Sequence, residues 1–200
     1  MRPSKDETWL EVCRVLARQS TCLRRQVGCV LLDRHGAILS TGWNGVAPEQ
    51  PHCNEAVLGN HSFTDRGYVH PHNGTDEDVY VCERVGCGKT LYWAPRATDF
   101  ADCPAVVSHP NACPGARAPS GTALDACRAL HAEMNAVATC PRWYDLDVCY
   151  CTASPCVTCT KLLLRSPCRR VVFLEDYPAP GARELWEAAG RKWHMFTPGR

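Results

Sequence analysis

Apolar residues recur at helical spacing near the start of the chain and at strand spacing soon afterwards. Between residues 7 and 19 they fall on one face of a helix, with Asp6 as a candidate N-cap. Residues 27–32 and 37–42 are short runs of strand-forming side chains, and the turn sequence Asp33-Arg34-His35-Gly36 separates them. We therefore predict an amphipathic helix followed by two antiparallel strands.

Strand and helix patterns alternate again in the last part of the chain. The predicted elements are a helix at 125–139 ending at Cys140-Pro141, a strand at 147–152, a helix at 156–164, a strand at 169–174, a helix at 182–189 and a strand at 192–196. This alternation favours a layered α/β architecture.

The segment between these regions, residues 48–124, has a different texture. It is rich in Pro, Gly, Asn, Asp and His, contains five cysteines and shows little sustained periodicity. A loop of that length is uncommon inside a compact domain unless it is functional or held by something. We interpret residues 1–200 as one domain that carries a long cysteine-rich insertion.

Composition and charge narrow the class of protein. Two hundred residues suit one compact domain, and no apolar run approaches the roughly 18 residues that a membrane span requires. The polar N-terminal residues 1–7 lack the features of a secretory signal, so we expect a cytoplasmic protein without a membrane partner. A formal net charge of +1 gives no reason to expect a nucleic-acid partner.

Cysteine is the unusual residue in this composition. The count of 15 is odd, so the cysteines cannot all pair within the chain. In a chain that is not exported, metal binding explains them better than disulfides. Cys13, Cys29 and Cys149 lie in apolar stretches, where a free thiol packs as a small hydrophobic side chain.

The strongest chemical signal joins two distant segments. His131-Ala132-Glu133 is followed downstream by Pro155-Cys156-Val157-Thr158-Cys159, a spacing typical of zinc deaminases. Three protein ligands, His131, Cys156 and Cys159, leave the fourth position of a zinc ion open for water, which is typical of catalytic sites. Glu133 can then act as the general base and acid.

A structural interpretation of the same residues competes with this hypothesis. Cys156 and Cys159 could belong to a closed zinc knuckle, with His131 and Glu133 as ordinary residues on a helix face. The two segments occur together and in the order of the deaminase pattern, near predicted helix N-termini that favour thiolate and carboxylate. This combination favours the catalytic interpretation.

Beyond this motif, the sequence resembles the deoxycytidylate deaminases, within the wider cytidine and tRNA deaminase superfamily. Four stretches carry the resemblance: Ser20-Thr21-Cys22-Leu23-Arg24-Arg25-Gln26-Val27-Gly28, Ser40-Thr41-Gly42-Trp43-Asn44-Gly45, His131-Ala132-Glu133-Met134-Asn135-Ala136 and Ser154-Pro155-Cys156-Val157-Thr158-Cys159. The resemblance implies a three-layer sandwich: a five-stranded mixed sheet between helices, its first two strands antiparallel, with zinc at two helix N-termini.

The resemblance also implies how a substrate is bound. Asn44, Ala132 and Tyr177 match substrate-contacting positions, Ser154 lies within the last motif, and Arg24-Arg25-Gln26 lies where the family handles the 5′-phosphate. A solvated turn is the alternative for the two arginines. Residues 46–50 contain no glycine where regulated members are Gly-rich, which argues against regulation by dCTP and dTTP.

Further zinc sites are expected around the insertion. The resemblance implies a structural zinc held by ligands from one set of five residues: Cys22, His52, Cys53, Cys113 and Cys127. Within the insertion, Cys82, Cys87, Cys103 and His109 are candidates for another zinc, with free thiols as the alternative. Metal coordination would hold a long irregular segment in place of a hydrophobic core.

The resulting functional hypothesis is zinc-dependent hydrolysis of dCMP to dUMP with release of ammonia, in pyrimidine deoxynucleotide metabolism. Cytosines substituted at C5 are candidate further substrates. The competing hypotheses are a deaminase of nucleosides, tRNA or other RNA, and a zinc-binding interaction module without catalysis. The resemblance alone implies a homo-oligomer.

Overall fold

The computed structural model describes residues 2–22, 24–50, 52–53, 63–65, 68–69, 76–82, 90–93, 122 and 126–197. The chain divides into two compact units, Met1–His52 with Cys113–Arg200, and Cys53–Ala112. The second unit falls within residues 48–124, the segment interpreted as an insertion. The division of the chain into one domain with an insertion stays a prediction.

The described elements include all nine that the sequence predicts, and four more strands. In chain order they are α1 (Lys5–Ala17), β1 (Gly28–Asp33), β2 (Ile38–Trp43), β3 (Phe63–Asp65), β4 (Tyr68–Val69), β5 (Asp76–Cys82), β6 (Thr90–Trp93), α2 (Ala132–Ala138), β7 (Leu146–Ala153), α3 (Val157–Leu164), β8 (Arg170–Glu175), α4 (Ala182–Ala188) and β9 (Lys192–Met195). A short 3-10 turn, Trp143–Asp145, precedes β7.

Helix α1 begins earlier than its apolar pattern suggested. Ser4, not Asp6, is the N-cap: its hydroxyl accepts from the Glu7 N–H at 3.1 Å, and the Glu7 carboxylate accepts from the Ser4 N–H at 3.3 Å. This reciprocal pair is a capping box, which satisfies two N–H groups that helix geometry would leave without partners. The prediction of Asp6 as the cap was therefore wrong.

Asp6 instead ties α1 to the sheet. Its carboxylate accepts from the Tyr150 hydroxyl at 2.6 Å and from the Arg170 guanidinium at 2.8 and 3.0 Å. Burial opposes the charge on Asp6, but these hydrogen bonds and the charge of Arg170 outweigh it and lower the pKa of the carboxyl. The first turn of α1 is thus anchored to β7 and β8.

The main sheet has the strand order β2-β1-β7-β8-β9. β1 pairs antiparallel with β2 and β7, whereas β7, β8 and β9 run parallel to one another. The predicted five-stranded mixed sheet with an antiparallel first pair is confirmed. Helices α3 and α4 each connect parallel neighbours, as strand-helix-strand crossovers require.

Alternate residues of the central strands point to opposite faces of this sheet. Leu31 and Phe173 belong to a core that also contains residues of α2, α3 and α4, such as Trp186. Val30 and Val172 belong to the core on the other face, against α1. The sheet is therefore the middle of three layers, and burial on both faces explains why every residue of β1 is buried.

Helix α2 begins seven residues later than the apolar pattern predicted. The predicted start was residue 125, but Leu130 pairs with Gly45 through backbone hydrogen bonds of 2.8 and 3.1 Å, and His131 is still extended. This bridge uses the N–H and carbonyl of Leu130 that a helix would need for itself. The helix therefore starts directly after His131.

The unit Cys53–Ala112 contains strands that the sequence interpretation missed. β5 pairs antiparallel with β3, β4 and β6. β3, β4 and β6 have only two to four residues, and β5 begins with Asp76-Glu77-Asp78, residue types that strands disfavour, so no clear strand period appeared in the sequence. Val79-Tyr80-Val81 and Leu91-Tyr92-Trp93 were the available signals, because β-branched and aromatic residues favour strands.

None of the helices in the described ranges has the length and apolar character that crossing a membrane requires.

Helix α2 packs against β2 at a glycine. A Cβ at Gly42 would lie 2.3 Å from the Ala132 carbonyl oxygen and 2.5 Å from the Ala136 nitrogen. The Ser40 hydroxyl donates to the Ala136 carbonyl, and the Asn135 side chain donates to the Trp43 carbonyl at 2.7 Å. The backbones of α2 and β2 therefore approach as closely as they do only because residue 42 has no side chain.

We expect Gly42→Ala to push α2 away from β2 and to destabilise the fold by about 1–3 kcal/mol, the usual cost of overpacking a rigid core. Chemical denaturation measures this cost. Gly45→Ala is the matched control, because a Cβ there would meet its nearest neighbour at an ordinary 3.5 Å. Equal stability of the two variants would contradict the close approach at Gly42.

Candidate metal centre and binding cavity

Three of the predicted metal ligands lie together. The His131 Nδ1 atom is 3.3 Å from the Cys156 sulfur and 3.4 Å from the Cys159 sulfur. All three ligand atoms lie within 4.8 Å of one another. Residues separated by 25 and 28 positions in sequence thus form one compact group.

Two helix ends position this group. His131 is the N-cap residue of α2 and makes no side-chain cap hydrogen bond, so its ring remains available as a ligand. Cys156 is the N-cap of α3, and its sulfur accepts from the Cys159 N–H at 3.5 Å. Hydrogen bonds from the Cys159 thiol, His131 and that N–H lower the pKa of Cys156 to about 4, which favours the thiolate.

The donor set fits zinc. One imidazole nitrogen and two sulfurs are common zinc ligands, and tetrahedral bonds of about 2.0 Å to nitrogen and 2.3 Å to sulfur place such atoms about 3.5 Å apart. The observed separations of 3.3 and 3.4 Å come within a few tenths of that value. With three ligands, this set would leave one coordination position for a non-protein group.

Glu133 lies in the first turn of α2, two residues after the histidine ligand. Its side chain lines the same cavity as His131 and is only 3% exposed. Burial raises the pKa of the Glu133 carboxyl to about 7, against the opposing positive charge of His131. The group is therefore suited to exchanging a proton near neutral pH.

The described residues contain a second group of three sulfur atoms, from Cys29, Cys149 and Cys151. The Cys149 sulfur is 3.7 Å from that of Cys29 and 3.5 Å from that of Cys151, and all three residues are fully buried. Burial raises the pKa of Cys29 well above its usual value. Packing among Leu31, Phe173 and Trp186 supports their interpretation as small core residues.

A cavity opens beside the metal-ligating group. Its walls come from the segment before β1, the residue after β2, the segment before α2 with the start of that helix, the end of β7 and the segment after β8. The lining residues are Cys22, Arg24, Arg25, Val27, Asn44, Cys127, Ala129, His131, Ala132, Glu133, Ala153, Ser154, Cys156 and Tyr177. It therefore contains most of the residues that the resemblance assigned to substrate binding. Gln26 is the exception, since it is exposed and not part of the lining.

Arg25 is a cation in this lining that contacts both an acidic and an aromatic side chain. Its Nη2 donates to the Glu175 carboxylate at 3.1 Å, and its guanidinium carbon is 5.6 Å from the ring centre of Tyr177. Its Nη1 is buried and has no hydrogen-bond partner among the described residues. A buried charged donor without a partner is costly, so an acceptor bound there would stabilise it.

Asn44 holds the segment that carries Arg25. Its side-chain oxygen accepts from the Val27 N–H at 2.7 Å, and its side-chain nitrogen donates to the Arg25 carbonyl at 2.7 Å. The resemblance assigned Asn44 to substrate contact, and each end of its amide retains capacity for one more hydrogen bond. Asn44 therefore has a positioning role that the sequence did not reveal.

Ser154 organises the segment after β8 in a similar way. Its hydroxyl donates to the Asp176 carboxylate at 2.9 Å and accepts from the Tyr177 N–H at 2.7 Å. Glu175 and Asp176 did not appear among the sequence candidates. Their position at the C-terminal end of a strand in a parallel set was the signal that could have found them, because ligands commonly bind at that edge.

The expected structural zinc sites stay predictions. Cys22 and Cys127 line the cavity, and the His52 Nδ1 atom lies 3.1 Å from the Thr21 hydroxyl. Cys53 is buried in the unit Cys53–Ala112. Cys113, Cys87, Cys103 and His109 lie outside the described residues, as does the side chain of Cys82.

Comparison with protein families identifies the group to which this site belongs. The model for the "cytidine and deoxycytidylate deaminase zinc-binding region" matches residues 3–175. The chain belongs to this family. The matched range includes the three candidate metal ligands, Glu133 and Arg25.

Curated relatives of this deaminase-family chain carry related descriptions. Deoxycytidylate deaminase of Schizosaccharomyces pombe is 26% identical over 200 residues, covering 98% of this chain and 45% of that protein. The Saccharomyces cerevisiae protein with the same description is 25% identical over 179 residues, covering 88% and 39%. The chain thus spans less than half the length of these two relatives.

A solved structure of low sequence identity shares the fold of this chain. The dCMP deaminase of cyanophage S-TIM5, solved in complex with dCMP and dUMP, superposes with a TM-score of 0.54 at 18% identity. The superposition covers 98% of this chain and 99% of that one. This likeness supports the predicted cytidine-deaminase-like three-layer sandwich.

Substitutions in the two candidate metal-binding groups should change the zinc content differently. We expect Cys159→Ala to remove one zinc ion per chain relative to the parent protein, because it deletes one of three ligands. Elemental analysis of the purified protein measures the change. Cys151→Ala is the matched control and should leave the zinc content unchanged; a loss of zinc in that variant instead would assign a metal to the wholly buried group.

Proposed function

We propose that this chain hydrolyses the exocyclic amine of dCMP, giving dUMP and ammonia. The observation that carries the proposal is a single cavity with a three-ligand group and a buried carboxylate on one side and a buried arginine donor on the other. The cyanophage neighbour is described as a dCMP deaminase in complex with dCMP and dUMP, and both yeast relatives as deoxycytidylate deaminases. These descriptions favour the mononucleotide.

The chemistry divides between a metal and the protein. When held by His131, Cys156 and Cys159, zinc supplies Lewis-acid activation of a water molecule. Glu133 takes the proton that this water loses and delivers it to the ring nitrogen next to the reacting carbon. Glu133 then takes the proton of the hydroxyl that is now bonded to this carbon and passes it to the exocyclic nitrogen. The carbon–nitrogen bond breaks, the hydroxyl oxygen becomes the carbonyl oxygen of dUMP, and the amine leaves as ammonia.

The cavity also accounts for binding of the base and sugar. Ala132 directly follows the candidate histidine ligand and forms part of the cavity wall, and we assign its backbone N–H to the pyrimidine. Asn44, which is 7% exposed, has remaining hydrogen-bonding capacity for the sugar. Tyr177 completes the lining near Arg25 and suits the sugar end.

Arg25 supports a substrate that carries a phosphate. Its buried Nη1 needs an acceptor, and a 5′-phosphate oxygen supplies one with a complementary charge. Arg24 also lines the cavity, and its guanidinium donates to the Thr122 carbonyl at 2.9 Å. We therefore assign phosphate binding to Arg25 first and to Arg24 second.

Several finer points belong to the proposal. We propose one catalytic zinc per chain, one or two structural zincs near the insertion and assembly as a homo-oligomer. Cytosines substituted at C5 are candidate substrates, and pyrimidine deoxynucleotide metabolism is the expected role.

Removing the proton carrier should separate catalysis from metal binding. We expect Glu133→Gln to lower kcat for dCMP by about 10²–10⁴-fold, the range typical for loss of a general acid-base group. Ammonia release measures turnover, and elemental analysis should show unchanged zinc. The parent protein should be tested on dCMP, cytidine, dCTP and a tRNA stem-loop; turnover of the stem-loop alone would contradict the proposed substrate.

Removing the arginine should affect only substrates that carry a phosphate. We expect Arg25→Gln to lower kcat/KM for dCMP by about 10–100-fold, because a charge-assisted hydrogen bond contributes roughly 1.5–3 kcal/mol. The value for deoxycytidine, which has no phosphate, should not change. Arg14→Gln, at an exposed arginine of α1 paired with Glu11, is the control; equal losses on both substrates would contradict a phosphate contact.

A further inference from the structure

Glu175 occupies a position that neither the proposed reaction nor phosphate binding requires. It is the last residue of β8, and its carboxylate accepts a hydrogen bond from Arg25 Nη2 at 3.1 Å. The Glu175 side chain is 69% exposed, whereas that of Arg25 is 28% exposed. The ion pair therefore lies with its acidic partner on the solvent side and its basic partner against the cavity.

The two ends of the Arg25 guanidinium have different surroundings. Nη2 is committed to Glu175, whereas Nη1 is buried and has no partner among the described residues. One phosphate group can pair with the buried end without displacing the carboxylate. With the first phosphate at Nη1, a longer phosphate chain adds negative charge on the same side of the cavity as the exposed Glu175 carboxylate.

The backbone around this pair is held on both sides. Asn44 donates to the carbonyl of Arg25, and the Ser154 N–H donates to the carbonyl of Glu175 at 2.9 Å. The neighbouring carboxylate, Asp176, accepts from the Ser154 hydroxyl. These bonds hold both backbones in place, and the hydrogen bond from Arg25 Nη2 holds the Glu175 carboxylate beside the guanidinium.

We propose that Glu175 is a specificity-determining residue that selects a nucleoside monophosphate over the corresponding di- and triphosphates. The inference rests on the proposed function, because it takes Arg25 as the phosphate-binding group. The Glu175 carboxylate keeps Arg25 oriented with its Nη1 available to a ligand. The negative charge of Glu175 repels phosphate groups beyond the first. Repulsion of this kind grows with each added charge.

The test compares nucleotides that differ only in phosphate count. Kd values for dCMP, dCDP and dCTP are measured with Glu133→Gln protein, so that no ligand is consumed, and with the same protein carrying Glu175→Gln. We expect the ratio of Kd for dCTP to Kd for dCMP to fall about fivefold, the size of removing one unit charge about 5 Å away in an aqueous setting. dCDP should show an intermediate change.

Two controls separate charge from structure. Glu187→Gln removes another exposed glutamate that pairs with an arginine, Arg183, at 2.9 Å, and it should leave the ratio unchanged. Raising the salt concentration to about 0.5 M should shrink the effect of Glu175→Gln, because salt screens exposed charges. If the role of Glu175 were purely structural, Glu175→Gln would weaken binding of all three nucleotides equally at every salt concentration.

The outcomes also distinguish this inference from the proposed function. Turnover of dCMP by the parent protein with an unchanged Kd ratio in Glu175→Gln would overturn the role of Glu175 alone. Absence of turnover with a salt-sensitive change in the ratio would support the role of Glu175 and contradict the reaction. If none of the three nucleotides binds, both are overturned.

Discussion

The contact between α2 and β2 holds the candidate metal centre in place. The backbone of α2 lies directly on Gly42, and the hydroxyl of Ser40 donates to a carbonyl of the helix. His131 and Glu133 stand at the N-terminal end of α2, so this contact sets the depth at which both groups enter the cavity. A helix packed on a rigid sheet positions a reactive side chain more accurately than a surface loop does, because packed elements resist small displacements.

On the Arg25 side of the cavity, an ion pair and backbone hydrogen bonds hold the arginine in position. Arg25 lies between an exposed carboxylate and a buried wall, with Asn44 holding its backbone. The arginine is therefore oriented before any ligand arrives, and little side-chain entropy remains to be lost on binding. In the proposed function, its Nη1 donor favours anionic over neutral ligands, and the Glu175 carboxylate favours anions of lower charge.

All five strands of the main sheet were readable from the sequence, because their apolar patterns are local and regular. The errors fell where a tertiary contact competes with a local pattern. Helix α2 was predicted to begin at residue 125, but pairing of Leu130 with Gly45 keeps the chain extended up to the helix start. Asp6 was predicted as a cap, but Arg170 recruits its carboxylate from far along the chain.

The residues of the candidate site also divide into those that the sequence reveals and those that only the structure reveals. The metal-ligating residues and Glu133 could be named from spacing, because their chemistry requires particular residue types in a particular order. Glu175 carries no such signature, since one exposed glutamate resembles any other in a sequence. Its significance appears only when β8 brings it against Arg25, 150 positions earlier in the chain.

The sequence by itself therefore predicted the three candidate metal ligands, the candidate proton-carrying carboxylate and the layered fold, because residue type and spacing carry these signals. Only the tertiary structure decided which groups meet: that Asn44 holds the Arg25 segment, that Gly42 lets α2 reach the sheet, and that a carboxylate stands beside the arginine. The physical reason is that these contacts join residues far apart in sequence, and their energies depend on distances that only the folded chain defines.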